Sequence, residues 1–169
     1  MLALGNGIGT KQKEEIMRTK SIILAVTALV GGAAAFVCAH CEIPCGIYDD
    51  PMRMKMIYEH IATLDKSVHE INHLNEAEKP NYNQLIRWVD NKDSHADQLQ
   101  EIISQYFMTQ RIVPAEPGTA GYDKYVREIT LLHRMLIQAM KVKQSTDPAA
   151  VEKLRGIAAE FEASYFAKK

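Results

Sequence analysis

Cysteine is scarce in this chain of 169 residues: three occur, Cys38, Cys41 and Cys45, all within eight positions. That clustering excludes a scattered disulfide framework. A charge excess of either sign is also missing, since 20 Lys+Arg face 21 Asp+Glu for a formal net charge of -1. The broad basic footprint that nucleic acid demands is therefore lacking, and no nucleic-acid partner is expected. Nine Gly and six Pro are too few for a low-complexity chain. At 47% hydrophobic and 24% charged residues, the composition also lies outside the range of intrinsic disorder. Aromatics are sparse, with one Trp and four Phe against eight Met, and no segment sustains the alternation of a strand. What remains is one helical globular domain with a short appendage.

The appendage is N-terminal. Met17-Arg-Thr-Lys20 precedes an uncharged run, Ser21 to Ala39 (SIILAVTALVGGAAAFVCA), the form of a basic n-region followed by an apolar h-region. Val37-Cys38-Ala39 offers small residues where a leader peptidase reads, which predicts a cut between Ala39 and His40 and a leader over 1–39. A run of 19 residues could also just span a bilayer as an uncleaved anchor. Gly31-Gly32 and the alanine run favour the processed leader. From His40 onward the chain holds 16 Lys+Arg and 19 Asp+Glu, a net charge of -3, together with all six histidines.

Residues 40–50 (HCEIPCGIYDD) have no helical period and contain Pro44 and Gly46, so they read as a hook or loop. Asp50-Pro51 then supplies an N-cap and a helix-starting proline. Ile57, Ile61, Leu64, Val68 and Ile71 recur at spacings of 4, 3, 4 and 3, predicting a helix to about Leu74. A second helix is predicted from Pro80 to near Gln110, with Leu85, Trp88, His95, Leu99, Ile102 and Tyr106 on one face. Residues 111–121 form the one long connection. A third helix turns Val126, Ile129, Leu132, Leu136 and Met140 inward. Asp147-Pro148 starts a fourth, carrying Val151, Leu154, Ala158, Phe161 and Tyr165. The fold class is all-α, an antiparallel four-helix bundle preceded by an N-terminal metal-binding hook.

The hook carries the sharpest chemistry. In His40-Cys41-x-x-Pro44-Cys45-Gly46-x-Tyr48, two thiols three residues apart adjoin an imidazole. A structural zinc site would need a fourth protein ligand, and none is visible. Cleavage before His40 changes the count, because its freed amine becomes a ligand and closes a five-membered ring with the backbone nitrogen of Cys41. A d8 ion such as Ni(II) favours a planar set of amine, amide and two thiolates, with the imidazole left for an axial position. Nickel or copper suits this set better than zinc.

These residues resemble the hook of the nickel-containing superoxide dismutases, H-C-x-x-P-C-G-x-Y at a processed N-terminus. The resemblance continues through residues 84–114 (QLIRWVDNKDSHADQLQEIISQYFMTQRIVP) and covers most of 40–169, especially as in cyanobacterial and marine bacterial members. It implies a homohexamer of four-helix bundles acting on superoxide, with one nickel ion per subunit. The ligands it implies are His40 through amine and imidazole, Cys41 through amide nitrogen and sulfur, and Cys45 through sulfur. Tyr48 corresponds to the hook tyrosine at the open face of the metal, and Tyr106 to a second tyrosine beside it. Two features depart from the pattern. Asp49-Asp50-Pro51 is one residue longer than the Tyr-Asp-Pro form of some members, which leaves the carboxylate and arginine that hold the axial imidazole unassigned. The leader resembles a secretory signal, whereas many members carry a soluble pro-segment removed by a dedicated peptidase. The protein is exported, periplasmic or secreted, in the first case and cytoplasmic in the second.

Two other readings compete. His69-Glu70-Ile71-Asn72-His73 is a literal H-E-x-x-H on a predicted helix, the form of a zinc metallopeptidase, but it lacks a third-ligand motif and a strand to align a peptide. A solvated helix face accounts for it. Glu70 and His73 also make one Glu-x-x-His, and a di-iron bundle needs two. The remaining rival is a non-enzymatic exported bundle whose Cys41 and Cys45 form a disulfide or buffer metal. His95 and His133 read as packed histidines, and His60 carries no signal.

Overall fold

The computed structural model describes residues 14–21 and 43–167. Residues 14–21 are helical, with the Thr19 hydroxyl returning to the Glu15 carbonyl at 2.8 Å. The proposed cleavage point and the apolar run beyond Ser21 lie outside the described residues, as do His40 and Cys41. Among the described residues no helix is long and apolar enough to cross a membrane.

The chain divides into two units, 1–41 and 42–169, and four α-helices form the second: α1 (Asp50–Asn75), α2 (Tyr82–Glu101), α3 (Tyr122–Lys143) and α4 (Pro148–Tyr165). A π-helical segment, Ile102–Arg111, continues α2 without a break. Each helix packs on two neighbours, α1 on α2 and α4, α3 on α2 and α4. Cross-links along each seam fix the directions. On α1 and α2, Ser67 accepts from Asn91 at 3.0 Å while His60 meets His95 at 2.9 Å, so residue numbers fall on one helix as they rise on the other. Lys92 with Lys143 and Gln100 with Leu136 order α2 against α3 in the same way, and Gln138 with Ala150 and Lys124 with Tyr165 order α3 against α4. The bundle is antiparallel throughout, as its short connections require.

The predicted stripes of α1 and α4 are the observed core. Ile57, Ile61, Leu64, Val68 and Ile71 are buried, with Met54 extending the row, and so are Val151, Leu154, Ala158 and Phe161. Phe107 packs edge-on against Phe161 at 5.1 Å and Tyr165 at 5.5 Å, contacts worth roughly 0.5–1.5 kcal/mol per pair beyond the area they bury.

Three expectations are corrected. The inward face of α3 is Leu131, Leu132, Met135, Gln138, Ala139 and Val142, while Val126 and Met140 are exposed. Ile129 and Leu136 pack against the core from its margin, and the buried face also takes in two polar groups: the Gln138 amide donates to the Ala150 carbonyl at 2.9 Å, and Glu128 lies 3.4 Å from Lys124. On α2, Leu85 and Trp88 are only half-buried, because burial begins at Lys92. The Lys92 ammonium donates to the carbonyls of Val142, Lys143 and Ser145 at 3.0, 2.6 and 3.2 Å, so it caps the end of α3. The part of α2 before Lys92 extends past that end and loses α3 as a neighbour. Finally, Asp49 and not Asp50 caps α1, accepting from the Met52 amide at 3.0 Å, and this frees the Asp50 carboxylate for the site.

Candidate metal centre

The described part of the hook is a turn. The Ile47 amide donates to the Pro44 carbonyl at 2.9 Å, and Gly46 takes φ +77°, where a side chain would be strained and glycine is not. Cys45 sits on this turn as a free, exposed thiol. Sulfur is the soft kind of donor that suits nickel, so the one expected ligand that lies among the described residues is chemically fit for the expected ion.

Tyr48 and Tyr106 come together beside the turn, ring centroids 5.9 Å apart and nearly perpendicular. Tyr48 is partly exposed at 39%, whereas Tyr106 is buried at 3%. Behind them stands Asp50, whose two oxygens accept four bonds. Arg111 binds it in a fork, Nε to Oδ1 at 2.7 Å and Nη2 to Oδ2 at 2.8 Å, while the hydroxyls of Tyr106 and Tyr165 donate at 2.6 and 2.8 Å. Burial opposes the charge on Asp50, but the donors from Arg111, Tyr106 and Tyr165 outweigh it and hold the carboxyl at about 2. Burial and then the bond to Asp50 push Tyr106 up to about 12, and the same causes raise Tyr165. Both hydroxyls therefore stay protonated and donate at neutral pH. The Arg111 guanidinium also lies over the Tyr48 ring at 4.2 Å, and that of Arg53 over the Tyr106 ring at 5.0 Å.

The π-helical segment brings two of these groups to the hook together. Tyr106 and Arg111 are five residues apart, and five residues of α-helix make about 1.4 turns, which would aim them about 140° apart. The wider turn, with the Ile112 amide reaching the Phe107 carbonyl at 2.9 Å, carries both toward Asp50. Gln110 adds a contact of 3.4 Å to the Ile43 carbonyl. Asp50 and Arg111, which frame the two tyrosines, are the residues beside the hook that the sequence reading did not single out. Asp50 was hidden by its resemblance to a helix cap, and Arg111 by its place at the start of a predicted loop.

A cavity of about 260 Å³ opens beside the turn, lined by Ile43, Pro44, Arg53, His60, Glu101 and Tyr106 among others. The H-E-x-x-H residues stand elsewhere on α1: His69 and His73 are exposed beside a hollow in which Asn72 is tied to the Thr146 carbonyl at 2.9 Å, and Glu70, half-buried, does not line that hollow. Among the described residues no three His, Cys, Asp or Glu are grouped to hold a metal ion, so this helix lacks the third ligand of a zinc peptidase.

No curated protein and no solved structure matches the chain. The family described as nickel-containing superoxide dismutase does match, over residues 35–169, which takes in the hook and the whole bundle. The chain therefore belongs to the nickel-containing superoxide dismutases, oxidoreductases whose cofactor is nickel.

Proposed function

We propose that removal of residues 1–39 frees the amine of His40, and that His40, Cys41 and Cys45 then hold one nickel ion per subunit. His40 gives amine and imidazole, Cys41 its amide nitrogen and sulfur, and Cys45 its sulfur. The observation that carries this reading is the free Cys45 thiol, presented on a glycine turn next to the paired Tyr48 and Tyr106. Bound in such a set, nickel would supply a one-electron Ni(III)/Ni(II) couple, made accessible by thiolate and amide donors, for the disproportionation of two superoxide ions and two protons to oxygen and hydrogen peroxide.

The protein's own groups position and select. Tyr48, partly exposed, stands at the open side and orders water there. The Tyr106 hydroxyl donates its hydrogen bond to Asp50, so Tyr106 acts by holding Tyr48 through the edge contact and not by donating to substrate. Net charge does not draw superoxide in, and the attraction falls to Arg53 in the cavity wall, since the charge of Arg111 is matched by Asp50. The family pattern supports a homohexamer. The leader decides the compartment: a secretory leader exports the protein, and a soluble pro-segment keeps it in the cytoplasm.

The free amine gives the test. Protein starting at His40 is compared with protein starting at Ala39 for nickel content and dismutase activity, with helical circular dichroism as control. One added residue converts the amine to an amide and removes a corner of the planar set, so activity and nickel should fall together while helicity persists. Equal activity in the two forms would refute the reading.

A further inference from the structure

Two histidines join α1 to α2 at the edge of the cavity beside the hook turn. His60 and His95 bring their Nδ1 atoms to 2.9 Å, with the rings tilted by 55°. This is a hydrogen bond in which the Nδ1–H of one ring donates to the bare Nδ1 of the other, so the neutral pair is satisfied. His60 is buried and His95 half-buried. The cavity itself lies between the two helices, with Arg53, Met56 and His60 on the α1 side and Gln98 and Glu101 on the α2 side. Neither ring has a part in the metal set or in the framework around Asp50.

Counting protons shows what the bond tolerates. The donor ring carries its proton on Nδ1 and keeps a lone pair on Nε2, so a first added proton goes there and leaves a charged donor facing a neutral acceptor. That bond is kept and strengthened. A second added proton must take the accepting Nδ1 lone pair, the last one in the pair. Two N–H groups and two positive charges would then face each other across 2.9 Å, and the rings must part. The surroundings do little to prevent it. On α1 the carboxylate of Glu59 is exposed and Arg53 is itself cationic, and on α2 Glu101 stands in the cavity wall, while Lys92 and Asp97 are both engaged with Lys143 of α3. The charged groups that bind α4 to α1, Glu162 on Tyr58 and Arg155 on Asp65, are taken by those partners. The hook turn offers only Ile43 and Pro44 to the cavity, and the π-helical segment offers Ile102, Gln105 and Tyr106, none of them charged. Burial first, and then His95, lowers the pKa of His60 from 6.5 against the opposing pull of Glu59. A histidine held lower in the folded state stabilises fully above the unfolded value of about 6.5, and that contribution drains away as pH falls toward the folded value. We propose that His60 and His95 form an acid-sensitive latch between α1 and α2, which holds with no added proton or one, lets go with two, and on release loosens the seam along the cavity beside the hook. The proposal is independent of which residues hold nickel.

The test follows the full chain, at matched concentration, from about pH 7.5 to about pH 5 by amide hydrogen exchange and by nitrogen resonance of the histidine rings. After correction for the intrinsic pH dependence of exchange, protection of the amides from His60 to Ser67 on α1 and from Asn91 to His95 on α2 should fall in the acid half of this range. The fall should approach, and not exceed, about tenfold per pH unit, the limit for one linked proton. Ring spectra should show a hydrogen-bonded Nδ1–H that survives the first protonation and is lost with the second. In His95→Gln the amide oxygen can still accept from a charged His60, so protection across the seam should stay level over the same range. The ring spectra of the unaltered protein decide the matter even if that variant misfolds. Protection that does not change with pH, a fall of the same slope in His95→Gln, or an Nδ1–H bond that persists with both rings charged would overturn the proposal.

Discussion

Replacing Asp50 by Asn is the sharpest probe of the framework behind the hook. The substitution keeps the shape and one acceptor oxygen but deletes the charge that gathers Arg111, Tyr106 and Tyr165. Depression of the carboxyl from 3.8 to about 2 corresponds to roughly 2.5 kcal/mol at about 1.4 kcal/mol per unit. Partial solvent exposure of the Arg111 partner screens this, and about 1–2 kcal/mol is the usable figure. Leaving the guanidinium without its counter-charge adds a further cost, for a total loss of about 2–3 kcal/mol at neutral pH. With a urea slope of about 2 kcal/mol/M, the unfolding midpoint should fall by about 1–1.5 M at matched protein concentration. The pH dependence has a definite sign. A folded-state pKa below the unfolded one stabilises above the unfolded value, so the contribution of Asp50 is whole above about pH 4 and vanishes as pH falls through about 2. The wild-type midpoint should drop through that window, and the Asp50→Asn variant should lack this part of the drop. An unchanged midpoint at pH 7, or an identical acid slope in the two proteins, would refute the reasoning.

Replacing His69, Glu70 and His73 together by Ala should leave nickel content and activity per nickel within twofold of wild type, because these side chains lie on the outer part of α1; loss of metal from a folded triple variant would move the site to that helix. Lys92→Met should keep the apolar stem packed but leave the carbonyls of Val142, Lys143 and Ser145 without their donor. A loss of about 1–3 kcal/mol in urea unfolding is expected, and a stability equal to wild type would show that the cap on α3 is dispensable.

The parts of this molecule that were legible in its sequence are those written over short distances. The 3-4 spacing of Ile57 through Ile71 and of Val151 through Phe161 follows from one helix meeting one core. The illegible parts are relations between helices. Asp50 and Arg111 are 61 residues apart, Asp50 and Tyr165 are 115 apart, and His60 and His95 are 35 apart on antiparallel helices. Local rules also misled where they were degenerate, since Asp49 and Asp50 both satisfy the preference for a helix cap and only the fold decides between them. The π-helical turn left no mark in the pattern, because Ile102, Ile103, Tyr106 and Phe107 suit the buried face of an ordinary helix equally well.

The bond between Asp50 and Tyr165 sets a timetable for assembly. One partner opens the first helix of the bundle and the other lies in the final turn of the fourth, so the donor shell of Asp50 cannot close until nearly the whole chain has been made. At about 5–20 residues per second, the 115 residues from Pro51 to Tyr165 take roughly 6–23 s to synthesise. Throughout that interval Asp50 can recruit Tyr106 and Arg111 once they emerge, but its fourth donor is still unmade. The carboxylate therefore has all four of its hydrogen bonds only in the completed bundle, and in a chain shortened before Tyr165 the Asp50 carboxyl should be held less far below its ordinary pKa.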